Sequence, residues 1–102
     1  MQALYKEIGG VLIGKGYWLN AHASWPFGGI EIYHDKLIVR LLWFKTTIMK
    51  YEITSIDKYG LFKTGIKITH NNKSKNRYLV YSSFNPKKIL QKLMEAGYEV
   101  KH

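Results

Sequence analysis

Gly9-Gly10-Val11-Leu12-Ile13-Gly14-Lys15-Gly16 is the stretch that comes nearest to a chemical motif. It lies one residue from the phosphate-cradling loop G-x-x-x-x-G-K-[ST], with Gly16 in place of the hydroxyl that would hold Mg²⁺. Such a loop needs a strand before it and a helix after it. Only eight residues precede Gly9, apolar at Met1, Leu4, Tyr5 and Ile8, which is helical spacing. The residues after Gly16, "YWLNAHAS", alternate instead with period two. The motif is therefore read as structural. Gly9-Gly10 ends a short N-terminal helical segment over residues 1–10, and Gly14 and Gly16 bend the chain. Val11, Leu12 and Ile13 lie against the body of the protein or begin an extra strand, and Lys15 points to solvent.

The other reactive side chains are dispersed. His22, His34, His70 and His102 include no i, i+4 pair, no H-E-x-x-H and no cysteine partner, so no metal site is expected. Seven carboxylates, Glu7, Glu31, Asp35, Glu52, Asp57, Glu95 and Glu99, show no paired spacing of the acid–base kind. Asp35 suits a hairpin turn. Ser82-Ser83 precede a helix start and belong to no Ser-x-His or G-x-S-x-G pattern. The expectation is a protein that is not an enzyme and uses no cofactor.

Charge is the stronger signal. The 102 residues carry 16 Lys and Arg against 7 Asp and Glu, a net charge of +9. Residues 53–102 hold ten of the basic and three of the acidic groups, which concentrates the excess there. The candidate partner-binding residues are Lys45, Lys58, Lys63, Lys67, Lys73, Lys75 and Arg77, the last six forming a basic ridge. An anionic partner follows: a membrane surface, a nucleic acid or an acidic protein. Only two of the sixteen cations are Arg, the side chain suited to geometric phosphate recognition.

Elements that can position these groups are mostly strands. From Tyr17 the period is two, with "WPFGG" reading as a turn after the first strand. "GIEIYHDKLIVRLLWF" splits at His34-Asp35-Lys36 into a hairpin, with Ile30 and Ile32 on one face. Leu37, Val39 and Leu41 then alternate with Ile38, Arg40 and Leu42. "TTIMKYEITSIDKYG" supplies two strands breaking near Tyr51-Glu52, and "GIKITH" and "RYLVYS" flank the polar loop "NNKSKN". Asn85-Pro86 is an N-cap followed by proline at the first helical position. A helix over 86–96 follows, with Ile89, Leu90, Leu93 and Met94 on its apolar face and Gly97 as its stop. The fold class is mainly β: about seven antiparallel strands over 17–84 in a barrel or orthogonal sandwich, capped by one C-terminal helix, as a single domain over 1–102.

That order of elements resembles the pleckstrin-homology-like (PH-like) fold, with its GRAM and small bacterial relatives. The residues that carry the resemblance are "SWPFGGIEIYHDKLIVR", "YEITSIDKYG" and "GIKITHNNKSKNRYLVYSSFNPKKILQKLMEAGYEV". The resemblance implies a noncatalytic binding module that holds a protein or an anionic lipid head with basic loop residues at the open end of a barrel. The first-hairpin loop, read as "SWPFGG", has no Lys or Arg, which argues against tight inositol-phosphate recognition. The third-to-fourth connection offers Lys45 beside Trp43 and Phe44. The sixth-to-seventh offers Lys73, Lys75 and Arg77.

Three further expectations follow. Trp43, a large aromatic, is expected to pack inside the barrel; exposed, Trp43 and Phe44 would sit at headgroup level beside Lys45. The alternative to a protein or membrane partner is single-stranded nucleic acid, read by the basic, aromatic-rich strands. Pairing of exposed sheet edges would give a homo-oligomer. With no cysteine, no secretory leader pattern in "MQALYKEIGGVLIGKG" and no long apolar run, cytoplasmic localisation is expected, peripheral at the membrane for an anionic-surface binder.

Overall fold

Alternation of apolar and polar residues shapes most of the chain, and the computed structural model describes residues 2–15, 18–59, 65–71 and 78–100. Seven strands, β1 (Tyr5–Lys15), β2 (Trp18–Ile32), β3 (Lys36–Leu41), β4 (Phe44–Met49), β5 (Ile53–Tyr59), β6 (Gly65–His70) and β7 (Tyr78–Ser82), precede one helix, α1 (Pro86–Glu95). They form one antiparallel sheet in the order β4-β3-β2-β1-β7-β6-β5. The sheet curls into a half-barrel around α1, so the chain is mainly β, as its alternation implies.

β1 joins the two halves of this sheet. Its first residues pair with the end of β2, Tyr5 with Ile32 and Gly9 with Gly28. Its later residues pair with β7, Gly10 with Ser82 and Gly14 with Tyr78. Residues 1–10 therefore do not contain the helical segment that their spacing suggests. Leu4, Tyr5 and Ile8 fit a helix over one short window, but so short a helix is marginal alone. The strand instead gains a ladder with β2 and then one with β7, and both outweigh the local preference. Tyr5, Glu7 and Val11 then face the core, while Leu4, Lys6 and Ile8 face out.

The "SWPFGG" segment is likewise not a hairpin loop, because it lies inside β2. Gly9 pairs with Gly28 and Val11 with Ala23, so residues 24–27 have one residue of β1 opposite them and bulge outward. The close strand approach at this corner explains a glycine. A Cβ on Gly28 would lie 2.7 Å from Val11 Cγ2 and 2.8 Å from the Gly9 carbonyl. Pro26 sits in the bulge, where a missing N–H costs no ladder bond. Lys15 pairs with Trp18, the last pair of the β1–β2 ladder, and residues 16–17 lie outside the described residues. The same holds for the orientation expected of Lys15.

Alternate residues of the strands fill the interior. Ile30 and Ile32 from β2, Leu37 and Val39 from β3 and Ile48 from β4 are at most 1% exposed. They meet Ile89 and Leu93 of α1, and each such side chain contributes about 1.5–3 kcal/mol. Asn85 caps α1, its Oδ1 accepting from the Lys88 amide at 3.3 Å, and Pro86 occupies the first turn. Met94, expected on the apolar face, is 46% exposed, because the sheet reaches only Ile89, Leu90 and Leu93. Gly97 ends the helix at φ +90°, with its amide bonding Met94 and that of Tyr98 bonding Leu93. Tyr98 then donates to the Tyr33 carbonyl at 2.8 Å, while Lys50 Nζ donates to the Ala96 carbonyl at 2.7 Å. These two bonds tie the helix end to the β2–β3 connection and to the 3-10 turn Lys50–Glu52.

Candidate functional site

Two polar or apolar concentrations stand out on this frame, and their geometry separates them. The first is Glu7, half-buried on β1. Its Oε1 accepts from the Tyr5 hydroxyl at 2.9 Å, and its Oε2 accepts from Tyr81 at 2.9 Å and Ser83 at 2.7 Å. Ser83 Oγ in turn accepts the Asn85 amide at 3.0 Å, which links the cluster to the start of α1. Burial, then the bond to Glu7 and its charge, push the Tyr5 hydroxyl up to about 12. Burial and the Glu7 charge push Tyr81 higher still. Both phenols are thus held as donors, and the carboxylate is occupied by hydroxyls on each oxygen. This is a structural knot between β1, β7 and α1. Gly9 protects it, since a Cβ there would run into the Ser82 carbonyl and the Tyr81 hydroxyl.

The second concentration faces water. Leu41 of β3 pairs with Phe44 of β4, leaving Leu42-Trp43 as a two-residue turn. The bulge of β2 lies beside it, with the Leu42 amide donating to the Phe27 carbonyl at 2.8 Å. Trp43 is 78% exposed, Phe44 62%, Phe27 59% and Leu42 42%. The Trp43 and Phe44 rings lean on each other, with centroids 5.7 Å apart. Trp43 therefore does not pack in the barrel: a two-residue turn carries it past the last core layer. Leu42 adopts φ 58°, the left-handed region in which a side chain costs about 1 kcal/mol and glycine is free. A leucine at that position sets an apolar side chain in solvent at a cost in backbone strain.

Cations border this tip. Arg40 on β3 pairs with Gly29 on one side and with Lys45 on the other, so both point to the outer face of the sheet. Of the residues expected to bind a partner, Lys45 alone is placed here. Lys58 pairs with Ile66, whereas Lys67 pairs with Asp57 one position along, so the two lie on opposite faces of the β5–β6 ladder. Lys63, Lys73, Lys75 and Arg77 lie outside the described residues. Arg40, Phe27 and Leu42 were not marked by the sequence, although Arg40 alternates with the buried Leu37, Val39 and Leu41.

Two shallow grooves of about 250 and 380 Å³ run between β5 and the segment after α1, lined by Thr54, Ser55, Tyr98 and Glu99. Neither contains a histidine. His34 is exposed within the β2–β3 connection, and His70 is buried on β6. Among the described residues, no three metal-ligating side chains converge, and no helix is long and apolar enough to cross a membrane.

No family model and no curated protein matches the chain. Among solved structures, it is similar to the crystal structure of the C-terminal domain of an unknown protein from Leishmania infantum. The TM-score is 0.65 at 15% sequence identity, over 93% of this chain and 83% of that one. The likeness is one of fold.

Proposed function

We propose that this chain is a noncatalytic, PH-like binding module that docks on an anionic membrane surface through the Phe27–Leu42–Trp43–Phe44 tip. The observation that carries the reading is the exposure of four large apolar side chains on one convex turn and bulge, beside Arg40 and Lys45. Convex aromatic tips suit the headgroup layer, where rings bury their faces while flanking cations meet anionic lipid. Each cation near such a leaflet contributes roughly 1 kcal/mol. The net charge of +9 favours approach to that surface. An acidic protein partner would use the same tip, but a turn that projects outward offers no groove for a peptide.

Sedimentation with vesicles tests this. The protein is expected to pellet with phosphatidylglycerol-containing vesicles at low salt and not with pure phosphatidylcholine. A fully buried aromatic side chain contributes about 1.5–3 kcal/mol, so Trp43→Ser/Phe44→Ser should lower partitioning at least tenfold. An absence of pelleting at low salt would refute the membrane reading. If an oligothymidine competitor bound more tightly than the vesicles, the single-stranded nucleic-acid alternative would replace it.

A further inference from the structure

Arg40 and Lys45 stand directly opposite one another across the β3–β4 ladder on the outer face of the sheet. Like charges in that relation repel, and the arrangement costs stability unless something anionic lies between them. Among the described residues, neither cation forms an ion pair with a carboxylate, whereas Lys92 and Glu95 of α1 pair at 3.7 Å. The outer-face carboxylate nearest in register, Glu31, accepts the Tyr33 hydroxyl at 2.8 Å.

Gly29 completes the arrangement. It is the β2 partner of Arg40, and a Cβ there would lie 2.7 Å from Arg40 Nη2 and 3.2 Å from Cζ. The guanidinium therefore lies across the bare backbone of Gly29, in space that a side chain at that position would fill. Arg presents a planar fork suited to two phosphate oxygens, and Lys45 adds a second cation across the ladder.

We infer that Arg40, seated on Gly29, and Lys45 form a clamp for a phosphate monoester, supplied by a lipid headgroup such as that of phosphatidic acid. The clamp rests on the membrane reading and gives it a headgroup preference. Two facing cations match a group that carries close to two negative charges and three free oxygens. A phosphodiester offers one charge and two free oxygens, so it neutralises half of the pair. The site lies on the convex face of β3 and β4, just below the aromatic tip, so a headgroup can reach it while the rings sit among its neighbours.

The test compares vesicles doped with phosphatidic acid and with phosphatidylglycerol at matched zeta potential. The protein is expected to bind the former at least roughly fivefold tighter, because only the monoester meets both cations. Arg40→Lys keeps the charge and removes the fork, and Gly29→Ala displaces the guanidinium. Each is expected to lower the affinity for phosphatidic acid to that for phosphatidylglycerol, which abolishes the preference. Equal binding of the two lipids by the unaltered protein, or a preference retained in Arg40→Lys, overturns the clamp while the membrane reading stands. Titration with inorganic phosphate, followed at the Arg40 and Lys45 amide resonances against chloride at matched ionic strength, separates the sources. Phosphate-specific shifts without binding to either vesicle would overturn the lipid assignment and the membrane reading together.

Discussion

The amide of Leu42 donates to the carbonyl of Phe27 at 2.8 Å, and this bond fastens the β3–β4 turn to the bulge of β2. Two features that break regular pairing thereby act as one tip. Both retain apolar side chains where polar or small residues would cost the fold less.

Leu42 is the position where stability and docking pull in opposite directions. Leu42→Gly removes the strain at φ 58° but adds freedom to the unfolded chain, and the two effects nearly cancel. The urea midpoint is expected to stay constant or rise slightly, while partitioning into anionic vesicles falls several-fold. A variant that binds vesicles as well as the parent would show that Leu42 has no contact with lipid.

Glu7 acts differently, because its role is confined to the fold. Its two oxygens accept three hydroxyls, and a glutamine would present one acceptor and one amide that cannot accept. Glu7→Gln is expected to cost about 2 kcal/mol, the scale of one or two charge-assisted bonds. Chemical denaturation measures that loss, and vesicle affinity of the folded fraction should be unchanged. An unaffected denaturation midpoint would mean that the knot contributes nothing.

The raised phenols give a pH dependence with a definite sign. An unfolded tyrosine loses its proton near pH 10, whereas burial and Glu7 hold Tyr5 protonated to about 12 and Tyr81 beyond that. Their contribution is complete below pH 10 and disappears as the pH rises through the folded values. The denaturation midpoint should therefore be flat up to about pH 10 and decline above it. Tyr5→Phe/Tyr81→Phe is expected to start lower and decline less steeply. An equal slope in that variant would remove these two tyrosines from the account.

Much of this architecture was legible where one periodicity ruled out the other. Ile30 and Ile32, and then Leu37, Val39 and Leu41, alternate long enough to define a hairpin and its buried face. Asn85-Pro86 and Gly97 mark both ends of α1 through local chemistry alone. β1 was not legible, because Leu4, Tyr5 and Ile8 suit a helix as well as a strand, and pairing with Ile32 and Tyr81 decides between them. Pro26, Gly28 and Gly29 signal broken or crowded backbone, yet only the register separates a bulge from a turn. Register also divides Lys58 from Lys67 and brings Arg40 opposite Lys45. The exposure of Trp43 followed from the shortness of its turn, which no count of apolar residues reveals.

Depth of insertion is the most direct measure of the central claim. Trp18→Phe/Trp25→Phe leaves Trp43 as the sole tryptophan. Its emission can then be recorded on anionic vesicles whose acyl chains carry bromine near the headgroup or near the bilayer centre. A blue shift on binding and strong quenching by the shallow bromines are expected, with little quenching by the deep ones. Emission that keeps its aqueous maximum and escapes both quenchers, in protein that has pelleted with the vesicles, would contradict docking through the tip.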